Sequence, residues 1–187
     1  MGHLYIRKAV IDDGAIVALL GRLTFTETFG KYFNDPDDLS HYYDETFSVE
    51  KIRSGIEKDN NAFWIAFYDE IPVGYAKLKR NAPSPFVPLS GKVSQLQKIY
   101  VLKDFLARGI GLGLIEILLQ EVVRMEGEYI WLSVLESNIS ATSFYKKMGF
   151  IVKGQHGFQI GKEKFKFIVM GRSVKSRNKE QPVADMQ

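Results

Sequence analysis

ARGIGLG, residues 107–113, sets three alternating glycines between an arginine and the apolar run LIEILLQEVV. Glycine reaches positive φ without strain and puts no Cβ between a ligand and the main-chain N–H groups. In the run that follows, Ile115, Leu118, Leu119 and Val122 fall on one helical face, so the glycines open a helix. Free amides at a helix start, reinforced by the positive end of its dipole, make a site for phosphate or pyrophosphate, and Arg108 adds a permanent charge beside them. The plainer reading of the same glycines is a tight turn with close helix-to-strand packing.

Two nucleotide motifs fail on this stretch. A P-loop needs Lys-Ser or Lys-Thr after its last glycine, and neither follows Gly111 or Gly113. A dinucleotide fingerprint starting at Gly109 needs glycine where Leu114 stands, and six residues, Leu102 to Ala107, separate the preceding strand from Arg108.

Working outward, QLQKIYV reads as the strand before the loop and YIWLSVLE as the strand after the helix, together a β-α-β unit. Asn138 is a good N-cap for NISATSFYKKM, whose Ala141, Phe144, Tyr145 and Met148 share a stripe, and Gly149 sits where a C′ glycine belongs. FIVKGQHGFQI and EKFKFIVMGR close the chain as a hairpin. Toward the N-terminus, HLYIRKA is a strand, and Ile16, Leu19, Leu20 and Leu23 mark the expected inward face of a helix within residues 11–33. Asp35, Pro36, Asp37 and Asp38 form an N-cap, N1 proline and dipole-matched acids, opening a helix to about residue 46. Ser48 caps a third, with Val49, Ile52 and Ile56 inward. AFWIAFYD and PVGYAKLK are two strands joined at Glu70-Ile71, and the proline-rich NAPSPFVPLSG, residues 81–91, is a loop.

The 187 residues suit one domain over 1–173, with 174–187 a polar, aperiodic and flexible tail. A hydrophobic fraction of 45% with 25% charged residues describes a soluble globular chain, and a net charge of +3 is too small to argue nucleic-acid binding. The chain holds no cysteine, which excludes disulfides, thiolate metal sites and cysteine nucleophiles. His3, His41 and His156 are isolated in sequence, so neither a metal nor a Ser-His-Asp triad is assigned. No h-region opens the chain and no run of about 18 apolar residues occurs, so membrane partners are not expected and a cytoplasmic location is.

Arg108 to Gly113, read as R-x-x-G-x-G, resembles motif A of the GCN5-related N-acetyltransferases, whose loop binds the pyrophosphate of acetyl-CoA. ESNISATSFYKKMGF resembles that family's second motif, at the right separation. LTFTETFGKYF, DPDDLSHYYDETFS and WLSVLESN look like the PaiA group of polyamine N-acetyltransferases, and the likeness covers roughly residues 3–173.

The resemblance implies an α/β fold: a mixed, mostly antiparallel sheet of six to seven strands, helices on both faces, and acetyl-CoA wedged where the strands ending at Val101 and Glu136 part. It implies transfer of acetyl to a primary amine, spermidine or spermine foremost, in a ternary complex without a metal, and a homodimer. The alternatives are another small amine or a protein terminus as acceptor, or an acetyl-CoA-binding regulatory module. Arg108, Gly109, Ile110, Gly111, Leu112 and Gly113 would hold the pyrophosphate, and the main chain of Ile99, Tyr100 and Val101 would pair with the pantetheine arm. Tyr145 would be the acid for the departing thiolate, since a phenol of pKa about 10 can protonate a thiolate whose thiol has about 8.5. Asn138 either only caps its helix or also touches the pantetheine, and Lys147 is a solvated lysine or approaches the CoA phosphates. Relatives often carry a glutamate where Gln97 stands, and an amide cannot be a base. Glu136 is then the nearest motif-placed carboxylate, for binding or deprotonating the amine, or is simply exposed. Asp35, Asp37, Asp38, Asp44 and Glu45 either cap and solubilise their helix or receive distal ammonium groups; Thr24, Phe25, Glu27, Thr28 and Phe29 match the family's first helix.

Overall fold

Seven strands form one sheet in a computed structural model that describes residues 2–87 and 92–174. In chain order the elements are β1 (Leu4–Lys8), α1 (Gly14–Phe29), α2 (Pro36–Phe47), α3 (Val49–Glu57), β2 (Asn61–Tyr68), β3 (Ile71–Lys79), β4 (Val93–Val101), α4 (Ile110–Arg124), β5 (Tyr129–Leu135), α5 (Ile139–Lys147), β6 (Ile151–Ile160) and β7 (Glu163–Ser173). The sheet order is β1-β2-β3-β4-β5-β7-β6, antiparallel throughout except between β4 and β5. This is the expected α/β class with a mixed, mostly antiparallel sheet. The sequence-expected tail lies, beyond Val174, outside the described residues.

Strand β2 shows why helices cover both faces. Phe63 and Ile65 enter a core with Val17, Leu20 and Ile52, whereas Ala62, Trp64 and Ala66 enter the opposite core with Leu114, Leu118 and Val122. Alternate side chains point to opposite faces, so a strand buried on both sides needs an apolar layer above and below. A third cluster, Phe25, Phe29, Phe47, Leu135, Ile160 and Phe165, seals α1 and α2 onto the far end of the sheet.

The first helix is where expected, but its inward face is not. Leu19 and Leu23 are 59% and 44% exposed, while Val17, Leu20, Gly21, Thr24, Phe25 and Phe29 are buried. The stripe that packs runs through two positions hydropathy does not count. A Cβ on Gly21 would run into the Phe47 ring, and Thr24 donates its hydroxyl proton to the Leu20 carbonyl at 2.6 Å. The other helix starts follow their caps: Asp35 accepts from the Asp37 amide at 3.0 Å and Asn138 from the Ala141 amide at 3.1 Å. The β2–β3 turn falls one residue earlier than expected, at Asp69-Glu70, both with positive φ, as a twist-matched two-residue hairpin requires.

Candidate active site

Strands β4 and β5 pair only from Val93 to Gln95 against Tyr129 to Trp131, and then separate. The rest of β4 stays bonded to β3 and the rest of β5 to β7, so both walls hold while a cleft of about 760 Å³ opens between them. A bulge sits at the fork: Lys98 pairs with Lys77 and Leu96 with Leu78, leaving Gln97 as the extra residue. The bulge resets the alternation of β4. Leu96, Ile99 and Val101 pack in the α4 core, whereas Lys98 lies against Phe47 and Tyr100.

One end of the cleft is the start of α4. Gly109 caps that helix at φ 78°, a conformation L side chains rarely adopt. A Cβ there would meet nothing within 4 Å, and one on Gly111 would meet only the Phe144 ring edge at 3.8 Å, so both glycines present open main chain to the cleft. Gly113 donates to the Gly109 carbonyl at 2.9 Å, and the amides of Ile110, Gly111 and Leu112 have no partner within the helix. An anion placed there meets unspent N–H groups and the positive dipole end. Gly113 has the other function of glycine: its Cβ would lie 2.8 Å from Ile6 Cδ1, so it permits close packing of α4 on β1.

Tyr145 stands in the cleft wall, 7% exposed, with its ring edge-on to Phe144 and Phe150. Burial pushes its phenol above the usual range, and the hydroxyl makes no hydrogen bond to another described residue. A phenol that holds its proton and has no internal acceptor is available to a proton acceptor entering the cleft.

The structure gathers Ile99, Tyr100, Val101, Gly109, Ile110, Gly111, Leu112, Asn138 and Tyr145 around this cleft, and Thr24, Glu27, Thr28 and Phe29 of α1 join them. Arg108, Gly113, Glu136 and Lys147 are not among the lining residues. The Arg108 guanidinium lies over the Tyr68 and Phe105 rings, 5.1 and 5.3 Å from their centroids, at the mouth of the loop. Glu136 and Lys147 are exposed. Gln97 lines the cleft, and Glu27, which accepts from the Lys103 amide at 3.0 Å, is the carboxylate of its lining. Asp35, Asp38 and Asp44 are engaged elsewhere, with Lys162 and Arg22.

Two features could not be found in the sequence. Lys98 reaches into the cleft wall with its ammonium 4.7 Å from the Phe47 centroid and no carboxylate partner; removal from water, then the neighbouring Lys77 charge, lowers it to about 7. Ser133 Oγ lies 2.9 Å from His156 Nε2, joining residues 23 positions apart. No signal in a single sequence links that pair. Among the described residues no group of three His, Cys, Asp or Glu side chains could hold a metal ion.

A half-parted sheet with unspent helix amides at one end and a buried phenol on the wall makes a cleft suited to a ligand that carries an anion and draws on a proton donor. The chain belongs to the GNAT acetyltransferase family, whose model matches residues 23–150, and it is an acyltransferase of the N-acetyltransferase kind. It is 30% identical, over 78% of its length and 83% of the relative's, to an uncharacterized N-acetyltransferase of Lactobacillus delbrueckii subsp. lactis. It is 25% identical, over 74% and 84%, to an uncharacterized N-acetyltransferase of Mycobacterium tuberculosis. In fold it is similar to the PaiA N-acetyltransferase of Thermoplasma acidophilum, crystallised with coenzyme A (TM-score 0.71, 20% identity, 91% of this chain and 99% of that one). A probable acetyltransferase of Staphylococcus epidermidis is as similar (TM-score 0.71, 20% identity, 92% and 100%).

Proposed function

We propose that the protein transfers acetyl from acetyl-CoA to a primary amine by direct attack in a ternary complex. The observation that carries this reading is the unpartnered Tyr145 phenol on the wall of a cleft whose other end is the bare helix start at Gly109–Leu112. Those amides would hold pyrophosphate, with Arg108 at the loop mouth adding charge. The unpaired edge of β4 at Ile99–Val101 would take the pantetheine as an added strand, Asn138 would border its thiol end, and Tyr145 would protonate the departing thiolate. Lys147 and Glu136, both exposed, are left to approach the outer phosphates and an entering amine. Cytoplasmic operation and homodimeric assembly belong to the same proposal.

Polyamines are the acceptors implied by the likeness to PaiA proteins, with Glu27 as the carboxylate available to an ammonium group in the cleft. One observation favours a second acceptor class. The charged cleft lining is Glu27 against Lys31 and Lys103, with Lys98 a third cation only when protonated, so a polycation is poorly matched, and an amine carrying its own carboxylate is better complemented. Thiol release from acetyl-CoA with spermidine, spermine, free amino acids and a peptide amine separates the two. Wild-type protein is expected to release CoA with one of these classes, and Tyr145→Phe to lose about 10²-fold or more in kcat while still binding acetyl-CoA. Full activity in Tyr145→Phe would remove Tyr145 from the chemistry.

A further inference from the structure

Resting on the transfer reading, we propose that Ser133 and His156 form a proton relay draining the acceptor amine. Ser133 lies in the cleft wall, on the stretch of β5 that has left β4. It shares a strand face with Leu135, which belongs to the α1–α2 cluster, whereas Leu132 and Val134 face the core that contains Tyr145. The two proton-handling groups therefore approach the fork from opposite faces.

The hydrogen bonds fix the direction of the relay. His156 Nδ1 lies 3.2 Å from the Gly157 carbonyl, which can only accept, so in the neutral ring Nδ1 carries the proton and Nε2 the lone pair. Ser133 must then donate to Nε2 at 2.9 Å, which leaves its oxygen lone pairs free toward the cleft. The imidazole is held between Phe167, with ring centroids 5.6 Å apart, and Phe86, at 6.5 Å. It is half-buried, so a proton it receives can pass to water.

The step balances. An N–H of the acceptor ammonium breaks as its proton joins Ser133 Oγ, the original Ser133 O–H breaks as that proton joins Nε2, and imidazolium later releases a proton to solvent. The freed nitrogen pair attacks the thioester carbonyl and the C–S bond breaks; the thiolate takes the proton of Tyr145, and the second N–H proton, lost as the nitrogen becomes an amide, restores the Tyr145 phenol, so one proton in all leaves through His156.

Among the described residues the side chains in contact with the His156 ring are Ser133 of β5, Phe167 of β7 and Phe86 after β3, none of them charged, and the ring makes no ion pair. Besides Tyr145, the titratable groups lining the cleft are Glu27 from α1, Lys31 and Tyr32 from the turn after it, Lys98 and Tyr100 from β4, and Lys103 just beyond β4.

The test is the pH profile of kcat/KM with the amine wild-type protein uses best, for Ser133→Ala, Ser133→Thr and His156→Gln, with acetyl-CoA affinity measured in parallel. Ser133→Ala and His156→Gln should lose roughly 10–100-fold near pH 7 and regain most of it toward pH 10, where the amine is already neutral. Ser133→Thr, which keeps a hydroxyl, should retain most activity, and acetyl-CoA affinity should be unchanged. Wild-type-shaped profiles in both defective variants would overturn the relay while leaving the transfer intact. If wild-type protein releases no CoA with any amine, the transfer reading falls and takes the relay with it.

Discussion

Lys98 sits in an environment that its letter does not imply. In the sequence it is one lysine in QLQKIYV; in the fold, the bulge at Gln97 turns it toward Phe47 and Tyr100, whose ring faces replace water but supply no anion. The lowered pKa of about 7 carries a stability consequence. An unfolded lysine titrates near 10.4, so between the folded and unfolded values the unfolded chain binds more protons and stability rises with pH. Lys98→Met, which keeps an unbranched apolar stem, should therefore stabilise by a few kcal/mol at pH 6 and by much less at pH 10, as checked by denaturant unfolding at both pH values. A constant difference would place the ammonium in water. Tyr145 was more legible, because a stripe at helical spacing and a family motif both point to it. Ser133 and His156 were not, because their meeting depends on which strands neighbour one another.

At the scale of elements, the glycine-rich start of α4 separates two functions that the sequence lets run together. Gly109 requires its left-handed backbone and fronts the cleft; Gly113 requires only space against Ile6. Gly109→Ala should cost about 1–2 kcal/mol of stability and weaken acetyl-CoA binding, because the new methyl group takes up open cleft space beside the helix start and the left-handed cap is strained. Gly113→Ala presses on the far end of a flexible side chain and should alter melting while leaving affinity alone. Calorimetric titration with CoA beside thermal melts of both variants checks the contrast, and equal losses of affinity would show that Gly113 also serves the anion. The caps at Asp35, Ser48 and Asn138 were readable because capping is local chemistry between residues two or three apart. The inward face of α1 was not, since Gly21 and Thr24 are buried through the shape of Phe47 and a bond to Leu20 rather than through hydropathy.

Across the whole molecule, strand periodicity shows which residues share a face but not which strands share an edge. β7 therefore sits between β5 and β6, although the closing hairpin reads equally well with either strand inward. A charge pair adds to the apolar core by tying the entry of α1 to the β1 edge of that sheet. Asp13, 6% exposed at the entry to α1, accepts two bonds of 2.7 Å from the Arg7 guanidinium of β1 and a third of 2.8 Å from the Val10 amide. The Arg7 bonds hold its carboxyl below the usual range, outweighing the opposing effect of burial, with the Val10 bond adding to them. A depressed carboxyl contributes stability that is fully present above the unfolded pKa of about 3.9 and is lost as pH falls through the lower folded value. Asp13→Asn keeps the shape, removes the charge and leaves Arg7 with a neutral partner, so it should cost about 2 kcal/mol from pH 5 to 8. The gap from wild type should begin to narrow below about pH 4, where the unfolded carboxyl takes up a proton, and close as pH falls through the lower folded value. Denaturant melts of both proteins from pH 3 to 8 test this. A gap that persists undiminished at pH 3 would mean that Asp13 acts through its shape and its bond to Val10 rather than through its charge.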